Sequence, residues 1–518
     1  MSGPRLVALV GAAAVIALAG CGRGNGAQVA ERPLSLVMVV LDTLRADHLG
    51  LYGYERDTSP HLDAFARESF VFERAESAAP WTTPSLLSLV TSLYPEAHGA
   101  RGFPNPRRTS EDVVTLAEVL KRHGYSTAAF TEGGYAKGDF GLDQGFDSYP
   151  RSPGDDESHD SHLLFPSRLD GNLSRSLSWL GEHKEEPFLL FFHTYEPHGP
   201  YRAPEEYIRR FRPHYDERKE HERVRRALER WDRERRVDPA DSLLVSRHTL
   251  HCRLVGLPPL RDKQGFMRAN LALGLDLRKA YRSGPFLEWL RDIYDAEIAY
   301  TDEQMSRLWR FLDEEGLRER TLVLVTSDHG EGLGDHGELQ HGQVLFDEIL
   351  RIALILRAPR RVGEPRRVPE LVRSVDVMPT LLELMGIPSA DLPMQGRSLL
   401  PLLAGERLDL LSFSHARAVS EEEDSVGSVR SDRWRLVWDR ATGGARLYDL
   451  TEDPGETRDV APSNPGVVAL LRGALEEQDE RNRAVAGQIR PAERPAELDL
   501  DMQRELRALG YLGEPGDD

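Results

Sequence analysis

Asp42, Thr82, His198, Asp328, His329 and His341 have the types and the placement to do chemistry together. Asp42 closes the apolar run "LSLVMVVLD", and Asp328-His329 closes "TLVLVTSDH". His198, in "EPHGPY", follows the third such run, "PFLLFF". Two carboxylates and an imidazole at strand ends, joined by the Thr82 hydroxyl, make a shell for one hard or borderline divalent cation. Each residue alone has a plainer reading, as a turn cap or a loop histidine. It is the set that points to a metal.

Thr82 lies in "APWTTPSLLSLVTSLYPEAHG". Proline is favoured at the first position of a helix, so Pro84 and the apolar face of Leu86, Leu87, Leu89, Val90 and Leu93 predict a helix that starts at the threonine. Its free N–H groups and positive dipole end would favour a phosphate or sulfate group and an ionised hydroxyl. The alternative is that Thr82 and Thr83 are only helix caps. His198 and His341, in "ELQHGQVLF", are placed to touch the oxygens of the anion or to protonate a leaving group. Lys137, in "GGYAKGDFGLDQGFD", and Arg45 are weaker candidates for holding an anionic substrate, since each also reads as a surface charge. The glycine- and acid-rich loop 330–342 reads either as a flap over the site or as a plain solvent loop.

The elements that must position these residues are legible in outline. Unbroken apolar runs predict strands buried on both faces, and each runs at its carboxyl end into acid, histidine and glycine, the edge where open α/β sheets bind ligands. Segments such as "TLAEVLKRHG" and "AEIAYTDEQMSRLWRFLDEEG" carry helical spacing. The alternation predicts an α/β fold: a large, mostly parallel sheet sandwiched by helices over 34–404. Within it, a charged helical insertion at about 205–282 contains "DERKEHERVRRALERWDRERR", either a solvated helix or a cap that admits anions. After residue 404, "RWRLVWDRATGGARLYDL" predicts two strands joined at Gly443-Gly444, in a small antiparallel sheet over 405–490. An acidic tail, 491–518, follows.

The 518 residues suit one large domain with a smaller partner, and 40% apolar with 29% charged residues is a globular composition. With 66 basic against 85 acidic residues the net charge is −19, which argues against binding nucleic acid. The N-terminus, "MSGPRLVALVGAAAVIALAGCGRGNG", has an apolar run too short to span a bilayer and fits an export signal over 1–20. Leu18-Ala19-Gly20-Cys21 resembles a bacterial lipoprotein signal, which predicts lipidation at Cys21 and a tether at 21–33. An incidental cysteine behind a plain secretory signal is the alternative. The expectation is an exported protein anchored to a membrane and facing the periplasm or cell surface. Cys252 then has no partner within the chain.

Across 34–450 the chain resembles the sulfatase family of the alkaline phosphatase superfamily. The resemblance is carried by "DTLRADHLGLYGY", "TTPSLLSLVTSLYPEAHG", "LDQGFDSY", "EPHGPY", "YDAEIAYTD", "SDHGEGLGDHG", "VDVMPTLLELMGI", "QGRSLLPLLAG" and "LYDLTEDPGE", in that order. It implies one divalent ion (Ca, Mn, Zn or Mg), or two, held by Asp42, Asp328 and His329. It also implies a nucleophile at Thr82, with His198 and His341 touching the transferred group.

The chain departs from the family at two places. Sulfatases carry Cys or Ser at the position of Thr82, matured to formylglycine within C/S-x-P-x-R; here the stretch is Thr82-Thr83-Pro84-Ser85-Leu86. Thr43 stands where many sulfatases have a second metal-binding Asp. The second hydroxyl of a formylglycine hydrate lets the enzyme expel sulfate, and threonine has none. Threonine is a working nucleophile elsewhere in the superfamily, so the expected activity is hydrolysis of sulfuric or phosphoric esters, with phosphate mono- or diesters favoured. The alternatives are an envelope transferase of phosphoryl head groups and a non-catalytic binding lipoprotein.

Overall fold

The computed structural model describes residues 32–100, 108–151, 169–199, 201, 203–216, 284–359, 363–416 and 426–492. The expected signal peptide and tether with Cys21, most of the charged insertion, Cys252 and nearly all of the tail lie outside the described residues. Within them no helix is long and apolar enough to cross a membrane.

One eight-stranded sheet organises the described chain. It comprises β1 (Ser35–Leu41), β2 (Phe70–Glu76), β3 (Ser126–Phe130), β4 (Phe188–Thr194), β5 (Thr321–Ser327), β6 (Arg351–Ile352), β7 (Leu354–Arg357) and β8 (Arg367–Arg373). Their order is β3-β4-β1-β5-β7-β2-β6, with β8 beside β2. The three apolar runs thus lie side by side, β1 between β4 and β5, all parallel. β7 runs antiparallel to β5 and β2, and β6 antiparallel to β2, so the sheet is mixed but mostly parallel.

The runs are unbroken because both faces are covered, and side chains alternate between the two. Val37, Val39 and Leu41 of β1, Leu190 and Phe192 of β4, and Val323 and Val325 of β5 enter one core layer, against the helices Leu169–His183 and Gly284–Glu314. Leu36, Met38 and Val40, Leu189 and Phe191, and Leu322 and Leu324 enter the other, against the helices Thr82–Thr91, Leu116–Arg122 and Val377–Leu384. Each fully buried side chain of this size stabilises the fold by about 1.5–3 kcal/mol. Leu116–Arg122 begins in a reciprocal capping box between Thr115 and Glu118, as "TLAEV" suggests.

The expected C-terminal hairpin is β11 (Trp434–Asp439) and β12 (Ala445–Asp449), turned at Gly443, whose φ of 72° favours glycine. It belongs to a four-stranded antiparallel sheet with β9 (Ser412–Ala416) and β10 (Val426–Arg430). The helix Pro465–Ala486 covers it through Leu471 and Leu475, packed with Phe413, Val429, Leu436 and Leu447.

Candidate active site

The two-residue period of the strands decides which side chains meet beyond the sheet's carboxyl edge. Leu41 of β1 is level with Thr194 of β4 and with Ser327 of β5, so Asp42 and Asp328 follow at the same height. Val40 is level with His193. Continuing the alternation Leu36, Met38, Val40 brings Asp42 to the face of the Thr82 helix. The same alternation brings His193 there after Leu189 and Phe191, and Asp328 after Leu322 and Leu324. Asp42, His193 and Asp328 each offer a ligand atom, all within 4.8 Å of one another, and all three are buried.

His329 completes the cluster. Its Nδ1 donates to the Gly330 carbonyl at 2.9 Å, which leaves Nε2 as the nitrogen turned to the cluster. That nitrogen lies 3.3 Å from Asp328 Oδ2 and 4.0 Å from Asp42 Oδ1. Burial, then the neighbouring Asp328, holds the Asp42 carboxyl well above its ordinary value. Asp42 Oδ1 and Asp328 Oδ2 are buried with no hydrogen-bond partner among the described residues. Buried carboxylate oxygens without a donor are costly, and a cation bound between them would satisfy both. The residues therefore fit a divalent ion.

Thr82 opens the helix Thr82–Thr91, every residue of which is buried. Pro84 is the third residue of this helix, not the first. The capping position belongs to Trp81, and no side chain caps the helix there. Thr83 Oγ1 donates to the Tyr135 carbonyl at 2.7 Å, and Thr82 Oγ1 turns to the cluster, 3.2 Å from Asp42 Oδ2 and 3.5 Å from His329 Nε2. The helix is pinned by His98, buried and pushed down to about 3 by desolvation, hence neutral. Its Nδ1 accepts from Ala100 N, so its Nε2 donates toward Ser88 Oγ at 3.1 Å and the Pro84 carbonyl at 3.3 Å.

The turn after Asp42 is held just as firmly. Tyr294 OH donates to the Thr43 carbonyl at 2.7 Å and accepts from Arg45 N at 2.8 Å, while Thr43 N donates to Asp328 Oδ1 at 3.2 Å. Thr43 has φ 54°, a conformation that a β-branched residue rarely adopts. Its Oγ1 is buried without a partner among the described residues.

Imidazoles lead outward from the cluster. The His341 ring lies 4.4 Å from that of His329 and 5.1 Å from that of His198, centroid to centroid. His341 Nδ1 is 3.0 Å from Glu331 Oε1, and His198 Nδ1 bonds the Gly199 carbonyl. Burial pushes both imidazoles down to about 3, and the Glu331 carboxyl up to about 7.

The weaker substrate-binding candidates lie differently. Arg45 is buried, bonding Asp47 through Nε and Nη2, and Asp335 Oδ2 and the Glu331 carbonyl through Nη1. It braces the Glu331 loop against the Asp42 turn, which explains "RADHLG" as a structural motif. Lys137 is half-buried between the short turns Gly134–Ala136 and Gly138–Phe140. Sequence reasoning missed His193, Glu331, Tyr294 and His98. For His193 the signal was present: it is two residues beyond Phe191, on the face that Asp42 and Asp328 share.

The sulfatase family model matches residues 35–387, and the model for the C-terminal part of N-sulphoglucosamine sulphohydrolase matches 334–481. An Escherichia coli (strain K12) protein described as an uncharacterized sulfatase is 25% identical, the match covering 82% of this chain and 82% of that one. The steryl-sulfatase of Mus musculus is 28% identical, with 89% of this chain and 84% of the other covered. The solved structure of a phosphonate monoester hydrolase of Agrobacterium radiobacter shares the fold with a TM-score of 0.62 at 22% identity, over 88% of this chain and 96% of that one. With a family model spanning most of its length, from the first strand to the helix after β8, the chain belongs to the sulfatase family.

Proposed function

We propose that this sulfatase-family hydrolase uses Thr82 as its nucleophile and cleaves phosphate mono- or diesters in preference to sulfate esters. The observation that carries the reading is the direction of the Thr82 hydroxyl: it caps nothing and lies 3.2 Å from Asp42 Oδ2 and 3.5 Å from His329 Nε2. The likeness to a phosphonate monoester hydrolase supports phosphorus as a centre that this fold can serve.

Asp42, Asp328 and His329 are the residues that would hold the ion. A divalent ion bound there supplies positive charge that lowers the pKa of the Thr82 hydroxyl and offsets the charge of the ester oxygens. Thr82 Oγ attacks phosphorus; the Oγ–P bond forms as the bond to the leaving oxygen breaks. The threonine loses one proton and the leaving oxygen gains one, with His341, backed by Glu331 at Nδ1, and His198 as the groups that carry it. Water then attacks the phospho-threonine, the P–Oγ bond breaks, and the proton from water returns to Thr82. A sulfated threonine has no second hydroxyl through which to expel its group, so phosphorus is favoured. The N-terminal signal supports placement at a membrane through lipidated Cys21, which radiolabelled fatty acid would test.

The test is a panel of aryl phosphate, phosphodiester, phosphonate and sulfate esters on the wild type and Thr82→Ala, with Mn, Zn, Mg or Ca supplied. The expected result is phosphoester cleavage that Thr82→Ala abolishes, with mass spectrometry trapping phosphate on Thr82. Sulfate cleavage alone, or equal rates in both proteins, overturns the proposal.

A further inference from the structure

We infer that His193 is an additional metal ligand of this chain, and that with it the centre selects a transition ion such as manganese, zinc or cobalt over calcium. The inference rests on the metal-dependent reading above and names the class of ion.

Three observations carry it. His193 is fully buried on β4, where an imidazole nitrogen needs a polar partner. Its Nε2 lies 3.2 Å from Asp42 Oδ2, and His193, Asp42 and Asp328 converge within 4.8 Å. A charge-assisted N–H to carboxylate bond would be shorter, about 2.7–2.9 Å. Two ligand atoms about 2.1 Å from one ion, at angles between square and tetrahedral, sit about 3.0–3.4 Å apart. The separations of Asp42 Oδ2 from His193 Nε2 and from Thr82 Oγ1, 3.2 Å each, and of Asp328 Oδ2 from His329 Nε2, 3.3 Å, fall in that range.

The donor set then decides the ion. Calcium takes about six to eight oxygen ligands. Here the oxygens come from Asp42, Asp328 and Thr82, and two imidazoles approach from β4 and from the end of β5. Thr43 supplies no carboxylate. Imidazole nitrogen suits first-row ions such as zinc, and suits them better the later they stand in the row, whereas calcium takes oxygen.

The experiment uses the full chain, wild type, His193→Gln and Asp328→Asn, titrated with Zn, Mn and Ca by calorimetry, with ¹⁴N pulsed EPR on the Mn-loaded proteins. Two coupled imidazoles are expected in the wild type and one in His193→Gln. Zn affinity should fall at least tenfold in that variant while Ca affinity changes less than threefold. The same nitrogen count in both proteins, or equal weakening of Zn and Ca, would make His193 a residue that only positions Asp42 and would overturn the inference. Should His193→Gln not fold, a single coupled imidazole in the wild type overturns it equally. A wild type that binds no ion, or an Asp328→Asn that binds as tightly as the wild type, sinks the metal-dependent reading itself and is distinguishable from either result.

Discussion

Thr82 Oγ1 and Asp42 Oδ2 meet at 3.2 Å although 40 residues separate them, because β1 ends beneath the first turn of a helix that is buried along its whole length. If Thr82 is the nucleophile, Thr82→Ala removes the oxygen that would carry the covalent intermediate. It should lower kcat on an aryl phosphate by about 10³-fold or more without shifting Tm by more than a few degrees. Thr82→Ser keeps a hydroxyl there and should stay within about tenfold. Steady-state kinetics with melting curves check both, and an active Thr82→Ala would remove the residue from the reaction.

His341 faces Glu331 at 3.0 Å on one nitrogen and the cluster on its other side. If it protonates the leaving oxygen, His341→Ala should slow esters with poor, alkoxide-like leaving groups by about 10²–10⁴-fold. Nitrophenyl esters, whose leaving group needs no proton, should slow far less. A linear free-energy plot over leaving-group pKa measures this. Equal losses across the series would leave His341 a role in binding alone.

Arg435 is wholly buried and shared between parts of the chain that are distant in sequence. It pairs with Glu76 at the end of β2 at 2.5 Å, with Asp347 at 3.2 Å, and with Glu456 after β12 at 2.5 Å. Removing one partner of such a network strands the others in a low dielectric. Arg435→Met should therefore cost about 3–5 kcal/mol, read as a fall in Tm. Asp347 follows the loop bearing His341, so faster amide exchange at 335–350 should accompany the loss. An unchanged Tm would mean that solvent reaches these carboxylates.

His415 gives the fold a pH dependence of its own, away from the Asp42–His329 cluster. Burial lowers its pKa, but Glu96, 3.0 Å from Nδ1, and Asp479, 3.0 Å from Nε2, prevail over it and over Arg440, and hold the imidazole above its ordinary value. A folded-state pKa raised above that of the unfolded chain gives stability that is complete below pH of about 6.5 and fades as pH rises through the folded value. His415→Gln should therefore lower Tm most at pH 6, and by progressively less toward pH 9. Parallel melting curves across that range would contradict the assignment.

The large sheet was legible because β1, β4 and β5 are buried on both faces, which writes itself as unbroken apolar sequence. Asp42, Asp328 and His329 were legible because they end such runs. β2, β9 and β10 were not: "FVFERAE", "SFSHA" and "VGSVR" gain their burial from partners distant in sequence, including the Glu76–Arg430 pair at 2.6 Å. His193 was hidden for a related reason. Inside an apolar strand a lone histidine reads as core, and only strand register brings it level with Val40 and toward Asp42.

Thr43 stands where the resemblance to sulfatases would place a second metal-binding Asp. Its φ of 54° strains a β-branched side chain, and its buried hydroxyl has no partner among the described residues. Asp tolerates this left-handed conformation better than Thr, so Thr43→Asp should be neutral or mildly stabilising when the ion is bound. It also adds a carboxylate beside Asp42, raising the count of oxygen ligands toward what calcium needs. Calcium affinity should rise about tenfold or more by calorimetry; if two imidazoles hold the ion, zinc affinity should change much less. Without an ion, the new carboxylate adds repulsion to Asp42 and Asp328, so the apo protein should melt lower than the wild type. A variant whose calcium affinity is unchanged would mean that position 43 does not face the metal.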